Sequence, residues 1–129
     1  MAVNTDIHIL VVDDFLPMRN AMLESLKLLN FTNVVDAESG ADALKKLEAD
    51  KFDLVITDWV MPEMDGFELL THIKASEELK HIPVMMVTAE AATENILKAV
   101  KAGAANYIVK PITVRVLLAK IEKIFSPAA

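Results

Sequence analysis

Cysteine is absent from this 129-residue chain, which excludes disulfide bonds and metal sites built from thiolates. Basic residues are also few: Lys and Arg number 13 against 19 Asp and Glu, a net charge of −6, so general affinity for nucleic acid is not expected. No apolar run is long enough to span a membrane, and residues 1–6 lack the basic and apolar stretches of an export signal. We therefore expect a small cytoplasmic protein with a core that needs no cross-links.

Short apolar segments alternate with segments of helical periodicity along the whole chain. Segments typical of buried parallel strands are 7–12, 34–37, 54–57, 84–87 and 107–109. Helices are predicted over 17–29, 39–49, 67–76, 94–102 and 113–125, with Ser39 and Thr113 as N-caps. Strict alternation predicts an α/β fold, a five-stranded parallel sheet covered by helices on both faces. We expect one such three-layer, doubly wound domain over 1–129, without an output domain.

Three acidic residues follow two of the predicted strands. Asp13 and Asp14 come after the first strand, and Asp58 comes after the third. Because the carboxyl ends of neighbouring parallel strands face one crevice, we expect the three carboxylates to lie close together. Such a cluster of like charges requires a cation, a shared proton, or both. Oxygen ligands without His or Cys favour Mg²⁺ over a transition metal.

Each polar residue at a strand end also has an ordinary alternative role. Asp14 alone could cap a helix, and Asp13 alone could be a solvated strand end. Thr88 could belong to a turn, and Lys110 could be a surface lysine. Since these residues and Asp58 follow four different predicted strands, their joint placement favours a functional site.

These motifs resemble the receiver domain family of response regulators over nearly the whole chain. The matching segments, in the family's order and spacing, are Val11-Val12-Asp13-Asp14, Asp58, Met61-Pro62, Met64-Asp65-Gly66, Thr88-Ala89 and Lys110-Pro111. Within this family, the residues that flank these segments are most similar to those of the single-domain chemotaxis regulators. The resemblance implies a flavodoxin-like sheet of strand order 2-1-3-4-5, which places the first and third strands side by side.

The resemblance also implies a chemistry, phosphoryl transfer to a carboxylate. Asp58 is the implied phosphoacceptor, which would form an acyl phosphate. Mg²⁺ would be held by Asp13, Asp58 and the backbone carbonyl of Val60, with Asp14 acting through water. Catalysis of this kind requires mainly positioning and charge neutralisation.

Further residues are expected to bind the phosphoryl oxygens or respond to them. Lys110 would supply a positive charge, and the Thr88 hydroxyl would donate a hydrogen bond. Thr88 and Tyr107 form the expected switch. Val60, where the chemotaxis regulators carry Asn, and Glu90 are expected to tune the decay of the phosphorylated state.

The implied function is that of a two-component response regulator that accepts its phosphoryl group from a CheA-like histidine kinase. Its expected binding partner is the flagellar motor switch protein. A monomer would contact this protein through the fourth helix, the fifth strand and the fifth helix. No membrane or nucleic-acid partner is expected. The response regulator would assist only its own phosphorylation and dephosphorylation, and so would not be an enzyme in the usual sense. The alternative is a stand-alone phosphorelay receiver or phosphate sink.

Two other classes that use this fold or chemistry fit less well. Phosphatases of the haloacid dehalogenase type carry an Asp-x-Asp motif, whereas Trp59-Val60 follows Asp58. A flavodoxin-like redox carrier requires a phosphate loop rich in Ser, Thr and Gly after the first strand, whereas this chain has Asp14-Phe15-Leu16-Pro17.

Overall fold

A computed structural model describes residues 3–89 and 93–125, in which strands and helices alternate strictly. The strands are β1 (Ile9–Val12), β2 (Val34–Ala37), β3 (Leu54–Asp58), β4 (Val84–Thr88) and β5 (Asn106–Val109). The helices are α1 (Leu16–Leu28), α2 (Gly40–Ala49), α3 (Gly66–Ala75), α4 (Thr93–Lys101) and α5 (Val114–Phe125). In the part of the chain that is described, no helix has the length and apolar character needed to cross a membrane.

The strands form one parallel sheet in the order β2-β1-β3-β4-β5, which confirms the expected topology. Val12 at the end of β1 is in register with Thr57 of β3, and Asp58 is in register with Val87 of β4. The end of β4, Thr88, is in register with the end of β5. The residues that follow these strands are therefore delivered to one edge of the sheet.

The sheet buries both of its faces under helices. Alternate residues of β1 enter opposite core clusters: Leu10 and Val12 pack with α2, α3 and α4, whereas Ile9 and Val11 pack with α1 and α5. This arrangement explains why the central strands read as continuous apolar runs rather than as alternating ones. The three-layer architecture predicted from the sequence is confirmed.

Side-chain caps fix the starts of the helices near the places that the sequence indicates. The Asp42 amide donates to Ser39 Oγ at the start of α2 (3.0 Å), and the Val116 amide donates to Thr113 Oγ1 at the start of α5 (3.2 Å). Helix α3 begins with a capping box between Asp65 and Glu68, in which two otherwise unpaired N–H groups are satisfied.

The first strand begins two residues later than predicted. The His8 amide donates to the Asp53 carboxylate (2.8 Å) instead of entering the ladder. The His8 ring stacks on Phe52, with 4.0 Å between the ring centroids. The apolar pattern extends past the strand because Ile7, although it lies outside β1, still packs against the core cluster that contains Ile9 and Val11.

Candidate functional site

The three carboxylates at the strand ends lie together. Asp13, Asp14 and Asp58 each offer an oxygen, and these oxygens lie within 4.8 Å of one another. Asp13 and Asp58 are only 7% and 8% exposed, whereas Asp14 is exposed. Two of the three charges are thus held where water solvates them poorly, which is costly unless a cation or a proton compensates.

Burial raises the pKa of Asp13 above its usual value, and the nearby charges of Asp58 and Asp14 raise it further. The Phe15 amide, which donates to Asp13 Oδ1 (3.0 Å), and the Lys110 ammonium act in the opposite direction. Lys110 Nζ lies 3.1 Å from Asp58 Oδ1, so its charge offsets one of the three carboxylates. The remaining excess negative charge on oxygen ligands fits a hard cation such as Mg²⁺.

The other residues singled out from the sequence surround this cluster to different degrees. Thr88 is buried at the end of β4, next to β3. Val60, two residues beyond Asp58, is 75% exposed. Tyr107 on β5 is half-buried, with the Lys120 ammonium 4.4 Å from its ring centroid. Glu90 lies outside the described residues.

A close contact between backbones positions the loop after Asp58. The Trp59 amide donates to the Val87 carbonyl (2.9 Å), and the Gly66 amide donates to the Trp59 carbonyl (2.8 Å). A Cβ atom at Gly66 would lie 2.1 Å from the Asp58 carbonyl oxygen, closer than van der Waals contact permits. Glycine is therefore required for α3 to begin directly against the end of β3.

Arg19 on α1 supports the cluster, although it is not among the site residues predicted from the sequence. Its Nη1 donates to the backbone carbonyl of Asp13 (2.9 Å), and its Nε donates to Asp36 on β2 (2.6 Å). The fork geometry of guanidinium suits this bridge between two strand ends. No motif marks Arg19, because its partners come from a different strand and from a backbone carbonyl.

Comparisons with known proteins agree with this geometry. Residues 9–122 match the model of the response regulator receiver domain. The chain is 49% identical over 122 residues to the chemotaxis protein CheY-3 of Vibrio cholerae (95% of this chain, 94% of the relative). It is 50% identical over 117 residues to the chemotaxis protein CheY of Pseudomonas aeruginosa (91% and 94%).

Solved structures are similar in fold as well. A structure of Vibrio cholerae chemotaxis protein CheY4 superposes with a TM-score of 0.87 at 29% identity, covering 93% of this chain and 99% of that one. The receiver domain of a signal transduction histidine kinase from Syntrophus aciditrophicus gives a TM-score of 0.83 at 28% identity, with 93% and 90% coverage.

Gly66→Ala is expected to destabilise the fold by about 2–4 kcal/mol, because the new Cβ meets rigid backbone. Gly40→Ala is the matched control, since Gly40 also begins a helix and the atoms nearest to its Cβ would belong to the flexible side chain of Met64 rather than to backbone. We expect a loss below about 1.5 kcal/mol there. Urea unfolding of both variants measures the difference, and equal losses would contradict this account of Gly66.

Asp13→Asn is expected to stabilise the metal-free protein and to raise its Tm by a few degrees, because it removes a charge that is buried beside two other carboxylates. The folded state holds the Asp13 proton more tightly than the unfolded chain does, so ionisation removes stability as pH rises from the usual carboxyl range toward neutrality. The variant lacks this loss. Asp14→Asn, at an exposed position, should gain less.

The same melting experiments test the metal. Saturating Mg²⁺ should raise the Tm of the wild type, because it binds the native state preferentially, and should raise that of Asp13→Asn much less. If Asp13→Asn melts below the wild type in EDTA, or if Mg²⁺ stabilises both proteins equally, the assignment of Asp13 is wrong.

Proposed function

The chain belongs to the response regulator receiver domain family, and from this premise we propose that it accepts a phosphoryl group on Asp58 and thereby switches its binding to a chemotaxis partner. Receivers of the CheY type are regulators rather than enzymes with their own turnover, and they bind Mg²⁺ in an acidic pocket. The observation that carries the proposal is the buried Asp58 carboxylate, with one ammonium and two further carboxylates around it.

Asp58 is the best-placed nucleophile of the three carboxylates. One of its oxygens already faces the Lys110 ammonium. Once the acyl phosphate forms, this ammonium would instead bind an oxygen of the phosphoryl group. In the transfer, a carboxylate oxygen bonds to phosphorus while the bond from phosphorus to the donor breaks and the donor leaves. Asp13, Asp58 and the Val60 carbonyl would hold Mg²⁺, with Asp14 acting through water, and the ion would neutralise charge on the transferred group.

Thr88 and Tyr107 are proposed to carry the signal away from Asp58. Thr88 lies at the end of the neighbouring strand, where its hydroxyl would donate to a phosphoryl oxygen. Tyr107, on the next strand, is half-buried and amphipathic, so its ring tolerates both an inward and an outward setting. The phosphoryl group would shift this equilibrium by its different interaction with the two states.

The output surface is proposed to be the face formed by α4, β5 and α5. Leu97, Val100 and Val116 are large apolar side chains exposed on these helices. A CheA-like histidine kinase would act as donor, and the flagellar motor switch protein would bind this face. An apolar output face favours this function over that of a phosphate sink, which needs no partner beyond its donor.

Asp58→Asn should abolish labelling by acetyl phosphate, measured as the gain of one hydroxylamine-sensitive phosphoryl group in intact mass spectra. Chelation of Mg²⁺ by EDTA should do the same in the wild type. Asp53→Asn, which changes an exposed aspartate at the opposite edge of the sheet, is the matched control and should label normally. Undiminished labelling of Asp58→Asn would falsify the assignment.

Thr88→Ala should still accept the phosphoryl group on Asp58, but phosphorylation should no longer change the setting of Tyr107. Because Tyr107 is the single tyrosine, its ring resonances in NMR spectra report the switch directly. We expect them to shift on phosphorylation of the wild type and to stay unchanged in the variant. An equal shift in both proteins would show that the signal does not pass through Thr88.

Val60→Asn should accelerate loss of the phosphoryl group by about fivefold, the effect of one hydrogen bond of about 1 kcal/mol to the attacking water. The apolar Val60 side chain offers no such bond. Val60→Leu is the control and should decay as the wild type does. Decay rates measured without any phosphatase decide the matter, and an unchanged rate in Val60→Asn would remove Val60 from the mechanism.

A further inference from the structure

Three side chains form a stacked column beside the carboxylate cluster. The Trp59 ring stacks on the Phe67 ring of α3, with 5.8 Å between centroids and 20° between planes. The Lys98 ammonium of α4 lies 4.3 Å from the centroid of the same Phe67 ring. This column of Trp59, Phe67 and Lys98 therefore runs from the residue next to Asp58 to a helix on the surface.

Helix α4 has few other means of attachment. Among its described side chains Ala99 alone is buried, and it is small. Of its large apolar residues, Leu97 and Val100 are both 53% exposed, and Ile96 is half-buried. Because only one small side chain is fully buried among those described on α4, a cation–π contact of ordinary strength adds appreciably to the attachment of this helix.

We propose that the Trp59–Phe67–Lys98 column holds α4 in its resting position and couples that position to the state of Asp58. The inference rests on the proposed phosphorylation of Asp58. It adds a route from Asp58 to α4 through Trp59, the residue that follows Asp58 in the chain. This route is separate from the one assigned to Thr88 and Tyr107, because it runs through α3 rather than β4 and β5.

The near end of the column is fixed to the site by the backbone. Trp59 follows Asp58 directly, and both its amide and its carbonyl are hydrogen bonded, to Val87 and Gly66. A phosphoryl group on Asp58 adds charge and volume one residue away from the ring. Because the backbone is held, this change acts on the Trp59 side chain: a shift of its ring changes the overlap with the Phe67 ring and, with it, the surface that Lys98 contacts.

Coupling of this kind is reciprocal. If the column stabilises the resting position of α4, removing the Lys98 cation increases the population of displaced positions. A larger population of the state that the phosphoryl group favours makes Asp58 easier to phosphorylate. Lys98→Gln should therefore loosen α4 and accelerate labelling of Asp58, although Lys98 does not itself belong to the carboxylate cluster.

The experiment compares the full-length wild type with Lys98→Gln, Phe67→Leu and their double variant. Lys101→Gln is the matched control, because it removes the same charge from an exposed position of the same helix. Lys98→Arg is the conservative variant, since guanidinium also stacks on an aromatic ring. The two measurements are amide hydrogen exchange of α4 without phosphodonor and the rate of labelling by acetyl phosphate with Mg²⁺.

We expect α4 amides to exchange about two- to fivefold faster in Lys98→Gln, which corresponds to a cation–π contact of about 0.5–1 kcal/mol. Labelling should accelerate by about the same factor. Phe67→Leu should have similar effects, and the double variant should add little to either single change. Lys101→Gln and Lys98→Arg should behave as the wild type.

Three outcomes would overturn the proposal: unchanged exchange in Lys98→Gln, faster exchange with unchanged labelling, or equal effects of Lys101→Gln. The last would reveal a simple charge effect. Failure of the proposed function is distinguishable, because it appears as absence of labelling in the wild type itself. In that case the proposed coupling is wrong as well, regardless of how fast the α4 amides exchange.

Discussion

The repulsion among three carboxylates at one edge of the sheet is the constraint on which the rest of this structure depends. Asp13 and Asp58 reach this edge because β1 and β3 are buried on both faces and paired in register, Val12 beside Thr57. A slip of one residue would turn each side chain to the opposite face. The apolar core therefore holds the charges together against their repulsion, and the Lys110 ammonium relieves only part of it.

Two neighbours of the cluster, Arg19 and Gly66, restrain its backbone rather than its carboxylates. Arg19 binds the Asp13 carbonyl, and Gly66 lets α3 begin against the Asp58 carbonyl. Both leave carboxylate oxygens available for a cation or a phosphoryl group. A site assembled in this way can change its ligands while its strand ends stay in place, which is what a reversible modification requires.

The α/β architecture and the acidic strand ends could be predicted from sequence because both depend on local signals, whereas the strand order that places β1 beside β3 came from the family resemblance. Apolar runs identified the strands, and Asp13, Asp14 and Asp58 directly follow two of them. Contacts between distant elements carry no such signal, so neither the bridge from Arg19 to Asp36 nor the Trp59–Phe67 stack was foreseen. In the sequence, Gly66 stood out only as part of the family segment Met64-Asp65-Gly66, and nothing there indicated a close approach of two backbones.

The unequal attachment of the helices bears on which of them responds to Asp58. Helix α3 begins at a capping box and buries Leu69, Leu70 and Ile73, so its displacement would expose a large apolar area at high cost. Among its described side chains, helix α4 buries Ala99 and half-buries Ile96, and the Lys98 ammonium attaches it to the Phe67 ring. Since a weak perturbation moves the element with the smallest restoring energy, a change at Asp58 should leave α3 in place and move α4. A column through α3 thus has one fixed support and one mobile end.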